Sequence, residues 1–254
     1  MKKLSVIFGR ILLGALVISL SFNATAGPTR VGEPASQSFV RSSDHRKVIL
    51  FVGDSRTMMC TYPGGSPPAR SNYCFCWVNG GNINVIGKDG SLTPYVERMI
   101  RKYRRRCAVA LNLGVNGNSN PKSNARRIIK IYRWWMKRYP DVRFYVVSVN
   151  PTILNSGSYS NGNVISVNKA LRKQFEPEGI YIDTYTMLME SGLVTGSAPG
   201  MRDNYHYEWS VGKRILKYVR RFVTKADQNQ EQNQNQNQEL NPESGAGSLS
   251  EEGS

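Results

Sequence analysis

Four short apolar runs rich in β-branched residues punctuate the chain, at residues 47–52, 108–113, 143–149 and 180–182. Each is closed by a residue that opens a turn: Gly53, Gly114, Asn150-Pro151 and Asp183 respectively. Continuous rather than alternating hydrophobicity predicts strands covered on both faces. Between and after them, apolar residues recur with helical spacing over 93–106, 123–139, 164–175 and 210–224. In the second of these, Ile128, Tyr132, Trp135 and Tyr139 are four, three and four residues apart, which aligns them on one core-facing stripe. Buried strands alternating with amphipathic helices predict an α/β domain over 47–225, a three-layer α/β/α sandwich with a mainly parallel sheet. In such a sheet, sites lie beyond the carboxyl ends of the strands.

The same patterning separates the flanks from this domain. Residues 1–26 begin with Lys2 and Lys3, continue through an apolar run over 11–22 and end in Ala24-Thr25-Ala26. That order is the pattern of a secretory signal peptide cleaved near Ala26, followed by a lead-in over 27–46. The run is short for a membrane span, and no later stretch is apolar for long enough, so the expected mature protein is secreted or associated with the cell surface without a transmembrane span. From 226 to 254 the chain turns to Gln/Asn repeats and then Ser, Gly and Glu, a composition that predicts a disordered acidic tail.

Charge is concentrated in the domain. The formal net charge is +16, but three basic residues lie in the first 26 and six acidic ones in the tail, which leaves 31 basic and 12 acidic residues in between. The densest cluster is Arg101, Lys102, Arg104, Arg105 and Arg106, at the end of an expected helix. Such a field favours polyanionic neighbours, of which an acidic cell-envelope polymer is the most available to an exported protein. No recognisable nucleic-acid-binding module accompanies it. Four cysteines, Cys60, Cys74, Cys76 and Cys107, are disulfide candidates in an oxidising compartment, with Cys74 and Cys76 each expected to take one of the other two. With only two His and no C-x2-C spacing, zinc is poorly supported.

The predicted strand ends carry a distinctive set of groups. Gly53-Asp54-Ser55-Arg56 follows the first run, Gly114-Val115-Asn116-Gly117 follows the next, and Asp203-Asn204-Tyr205-His206 precedes the last helix. A serine hydroxyl on a sharp strand-to-helix turn needs a base within hydrogen-bond reach. Of the two histidines, His45 precedes Ser55 along one extended segment and belongs at the wrong end of the sheet, which leaves His206. Asp203, three residues before it, can accept from Nδ1 and fix the tautomer.

These blocks, V-G-D-S-R, N-L-G-V-N-G and D-N-Y-H-Y before a helix, resemble those of the SGNH (GDSL-type) hydrolases over roughly residues 47–224. The resemblance implies a flavodoxin-like fold and a serine esterase or acylhydrolase with no cofactor. It makes Ser55 the nucleophile, His206 the general base and Asp203 its orienting partner. It also implies an oxyanion hole of the Ser55 N–H, Asn116 and a glycine N–H. Gly80, Gly81, Gly87 and Gly90 all lie in the right stretch; Gly90 is chosen because it leads straight into a helical pattern. Residues 60–85, rich in Gly, Pro, Asn and aromatics, are expected to form a loop over the serine. The expected substrate is a short acyl ester, such as an acetyl group on an envelope glycan. An O-acyltransferase on the same fold, and a non-catalytic binding protein for acidic polymers, are the alternatives.

Overall fold

The computed structural model describes residues 48–61, 72–194 and 200–240. The expected leader and lead-in, His45, and the tail beyond 240 lie outside these residues. Five strands form one parallel sheet: β1 (Val48–Gly53), β2 (Tyr73–Trp77), β3 (Cys107–Asn112), β4 (Arg143–Val147) and β5 (Tyr181–Ile182). Their spatial order is β2-β1-β3-β4-β5, and each neighbouring pair is parallel. This is the flavodoxin-type order, which reverses direction between β1 and β3 and opens a crevice there.

The helices are α1 (Ser55–Met58), α2 (Thr93–Tyr103), α3 (Pro121–Arg138), α4 (Asn161–Phe175), α5 (Thr184–Glu190) and α6 (Trp209–Leu240). Strand side chains alternate between two faces, and each face has its own core. Val48, Leu50 and Val52 of β1 pack with Val96 and Ile100 of α2, Ile128, Tyr132 and Trp135 of α3, and Val167 and Leu171 of α4. Ile49 and Phe51 face the other way, onto Leu188 of α5 and Val211, Ile215 and Val219 of α6. Trp135 is wholly buried, and its indole N–H donates to the Ile86 carbonyl at 2.8 Å, so its one polar atom is satisfied inside the core. The three-layer sandwich thus stands as expected.

Three features differ from the sequence expectations. First, residues 73–77 form a buried edge strand, not part of a loop. Its Tyr-Cys-Phe-Cys-Trp sequence lies among turn formers, and cysteines carry little strand signal. Second, the four cysteines form no disulfide and are buried thiols. The sheet explains this: Cys74, Cys76 and Cys107 lie in the core beneath α2 and α3, whereas Cys60 packs on the opposite face with Tyr73 and Phe75. Cys74 and Cys107 belong to β2 and β3, which flank β1, so roughly two strand spacings of about 4.8 Å separate them, beyond disulfide reach.

Third, α6 runs on to Leu240, through the Gln/Asn repeats expected to be disordered. Ala226 still packs against the α6 core, and Asp227 pairs with Arg143 at the start of β4. No Gly or Pro interrupts the chain between Gly212 and Pro242, and Gln is an adequate helix former, so nothing in the sequence stops a helix already nucleated by packing.

Burial pushes the Cys60 and Cys107 thiols up to about 12, which keeps them protonated near neutrality. The native protein is therefore expected to react negligibly with a thiol-specific chromogenic reagent at pH 8 and to release four equivalents once denatured without reductant. Fewer than four would mean that disulfides form.

Candidate active site

The turn after β1 is built from three consecutive constraints. Gly53 permits the chain to fold back closely: a Cβ there would overlap Thr57 Oγ1 and come within 2.8 Å of the Asn112 carbonyl oxygen. Asp54 caps α1, accepting from the Arg56 N–H at 2.9 Å. Ser55 then opens the helix at the carboxyl end of β1, half-buried, where its hydroxyl meets the cleft.

Asp54 and Arg56 are both fully buried, and their Oδ1 and Nε atoms lie 3.6 Å apart. Arg56 also donates from Nη1 to the Asn150 carbonyl at 2.7 Å, which ties the turn to the segment after β4. Tyr207, itself buried, donates its hydroxyl to the Pro151 carbonyl of that same segment. The residue beside the histidine and the residue beside the serine are thus anchored to adjacent carbonyls.

His206 sits in a tight loop closed by an antiparallel bridge between Met201 and Tyr207. Its Nε2 lies 2.9 Å from Ser55 Oγ, and its Nδ1 lies 2.7 Å from Asp203 Oδ2. The other carboxylate oxygen, Oδ1, accepts from the Tyr205 and His206 N–H groups at 2.7 and 2.8 Å. An ionised carboxylate accepts only, so Nδ1 carries the proton and Nε2 accepts from the serine hydroxyl. Partial burial pushes the Asp203 carboxyl up. The hydrogen bonds from the His206 ring and from the two N–H groups outweigh it and hold the group below the usual carboxylate range. Asp203 therefore stays charged as pH falls through the mildly acidic range. Its contribution to stability is lost only as pH drops through that depressed value.

Asn116, on the loop after β3, also lines the cleft and donates from Nδ2 to the Gly81 carbonyl at 3.0 Å. The loop is braced by Asn124, which donates to Gly114 O at 2.9 Å and bonds Asn118. The structure thus brings Ser55, His206, Asp203 and Asn116 together. Gly90 is not among them. Its N–H donates to Gly87 O at 2.9 Å, and its α-carbon is packed against the backbone of Asn84 and Val85. The glycine at the cleft is Gly80, at φ +64°, in the turn that follows β2. Among the described residues, neither its N–H nor that of Ser55 donates to any group.

The cleft has a volume of about 300 Å³, and its remaining lining is Arg56, Val115, Tyr159 and Tyr205. The two tyrosine rings meet edge to face with centroids 5.1 Å apart. None of these four is among the residues the sequence points to. Tyr205 and Val115 adjoin candidate residues and Arg56 follows the serine, whereas Tyr159, on the loop before α4, carries no sequence signal. Among the described residues, no group of three His, Cys, Asp or Glu residues is placed to hold a metal, and no helix is long and apolar enough to cross a membrane.

Arg56→Met should leave the Asp54 carboxylate buried without its countercharge. Urea unfolding is expected to show a loss of about 3–5 kcal/mol, while a change under about 1 kcal/mol would show that the pair does not hold the turn.

No family model matches the sequence, and no curated protein matches it in sequence. Solved structures do match. One is a member of the lipolytic protein G-D-S-L family from Veillonella parvula, with 14% identity, TM-score 0.55, 70% of this chain and 98% of that one covered. Another is Est24, a carbohydrate acetylesterase from Sinorhizobium meliloti, with 12% identity, TM-score 0.50, and coverage of 71% and 100%. A third is LAE5, an alpha/beta hydrolase enzyme from the metagenome of Lake Arreo, with 12% identity, TM-score 0.50, and coverage of 70% and 95%. With its parallel five-stranded sheet, helices on both faces and a matching chain path, the protein has the fold of the GDSL, or SGNH, hydrolases.

Proposed function

We propose that the protein is a serine acyl-ester hydrolase whose nucleophile is Ser55. The observation that carries this reading is the continuous chain from Ser55 Oγ through His206 to Asp203, at 2.9 and 2.7 Å, at the carboxyl edge of a parallel sheet. In the first step Ser55 Oγ bonds to the acyl carbon while its proton passes to His206 Nε2. His206 then protonates the departing alcohol oxygen, and the acyl group remains on the serine. In the second step water loses a proton to His206, attacks the acyl carbon and restores the Ser55 hydroxyl as the acid leaves. Asp203 remains ionised throughout and stabilises the imidazolium.

The oxyanion of each tetrahedral intermediate is taken by the Ser55 N–H, the Gly80 N–H and the Asn116 side-chain amide. Gly80 serves in the place for which Gly90 was expected. A donor must be uncommitted: the Gly80 N–H is so among the described residues, and the Gly90 N–H is bound within its own turn. Asn116 Nδ2 bears two hydrogens and commits one to Gly81, which leaves the other for the substrate while bracing the glycine loop.

The favoured substrate is a short acyl ester on a carbohydrate. A cleft of about 300 Å³ is at the small end of ligand sites, and Tyr159 and Tyr205 line it with aromatic rings that each carry a hydroxyl. The described structural neighbours include a carbohydrate acetylesterase. The leader pattern over 1–26 supports action outside the cytoplasm, on glycans of the cell envelope.

The test is hydrolysis of p-nitrophenyl acetate, followed by acetylated glycans. Ser55→Ala and His206→Ala should each lower turnover by about 10³-fold or more, and Asn116→Ala by about 10²–10³-fold. Unchanged turnover in Ser55→Ala would overturn the reading.

A further inference from the structure

At the end of the domain opposite the catalytic cleft lies a second concavity of about 330 Å³. The carboxyl ends of α2 and α3 frame it beside the starts of β3 and β4, so the six residues of β3, about 20 Å of strand, separate it from the loop bearing Asn116. Arg101, Arg104, Arg105 and Arg138 line it, with Asp141 on one side.

Two of these arginines are held in place. Arg101 and Arg138 share Glu97, at 3.2 and 2.8 Å, and Arg138 also lies over the rings of Trp134 and Tyr139. The other two are exposed, and among the described residues neither the Arg104 nor the Arg105 guanidinium has a hydrogen-bond or ion-pair partner. Counting Glu97 and Asp141 against the four arginines leaves two positive charges uncompensated.

A role in terminating the helices would account for basic residues here, since cations favour helix carboxyl ends. It does not account for Arg104. This residue has φ +42°, the only positive φ at a non-glycine position among the described residues. A side chain at such a φ costs stability that glycine would avoid, and strain of this kind collects at functional sites. Nor, among the described residues, does the Arg104 side chain donate to a helix carbonyl.

We propose that this cleft is an anion-binding site for phosphate groups. Arg104 and Arg105 supply the free forks that grip the oxyanion, and Arg101 and Arg138 supply a fixed positive floor. The site does not depend on the catalytic reading. Its position allows a phosphate-bearing polymer to be held at one end of the domain while the other end stays open to substrate.

The experiment is calorimetric titration of the full chain with pyrophosphate and with long-chain polyphosphate at low salt, alongside p-nitrophenyl acetate turnover and thermal melting. Arg104→Gly and Arg105→Ala should each weaken pyrophosphate binding at least several-fold, and together more than tenfold. Arg126→Ala with Arg127→Ala, which removes the same charge from an exposed stretch of α3, should change it by less than twofold. Arg104→Gly should melt at the same temperature or higher because the strain is relieved, and turnover should not change. Tighter binding of polyphosphate than of pyrophosphate supports a polymer as the source of the phosphate, and equal binding supports a small ion. Absence of binding, equal loss in the α3 variant, or a lower melting temperature with unchanged affinity in Arg104→Gly would each overturn the proposal.

Discussion

Ser55 stands on a buried ion pair. Asp54 and Arg56 flank Ser55, neither reaches solvent, and burying such a pair costs free energy that Coulomb attraction offsets only when the geometry is tightly held. A short turn keeps the two side by side. Gly53 lets α1 close against β1, Asp54 caps the helix, and Arg56 reaches across to Asn150. What these contacts secure is a fixed direction for the Ser55 side chain. With Tyr207 anchored to Pro151, the histidine loop is referenced to the same segment, and a 2.9 Å contact between residues 151 positions apart becomes a consequence of local packing.

Sheet order does the rest. Because β1 is central and β3 is its neighbour, the loops after them open side by side, which brings Ser55 next to Asn116. On the other side of β1 stands β2, whose following turn presents Gly80. Three backbone loops from three adjacent strands thus converge on one point, and the final loop before α6 brings His206 to it. The opposite ends of the strands gather arginines instead, so the two poles of the domain differ in chemistry: one holds the hydrogen-bonded Ser55, His206 and Asp203, the other an excess of positive charge.

Much of this was legible in the sequence wherever burial leaves a continuous apolar run or a 3.6-residue stripe. The strands β1, β3 and β4 and the helices α2, α3 and α4 are written in that form. Ser55, Asn116, Asp203 and His206 were legible because each follows a strand end or precedes a helix. The edge strand β2 was not, since Tyr-Cys-Phe-Cys-Trp sits among turn formers, and without it the choice fell on Gly90, which does not line the cleft. Gly90 precedes a helix pattern, but the turn that meets the serine follows β2, and that turn holds Gly80. The disulfide expectation failed for a related reason: which face of the sheet a cysteine occupies depends on strand register, which the sequence alone does not fix. Tyr159 became a cleft residue only through the long-range packing of the loop before α4.

The proposed chemistry rests on the activation of Ser55 by His206. The most direct measurement is peptide mapping by mass spectrometry after treatment with a fluorophosphonate, which reacts covalently with an activated serine. A single adduct is expected on the peptide containing Ser55, formed at least about a hundredfold more slowly in His206→Ala. No adduct, an adduct on another residue, or labelling at the same rate without His206 would contradict it.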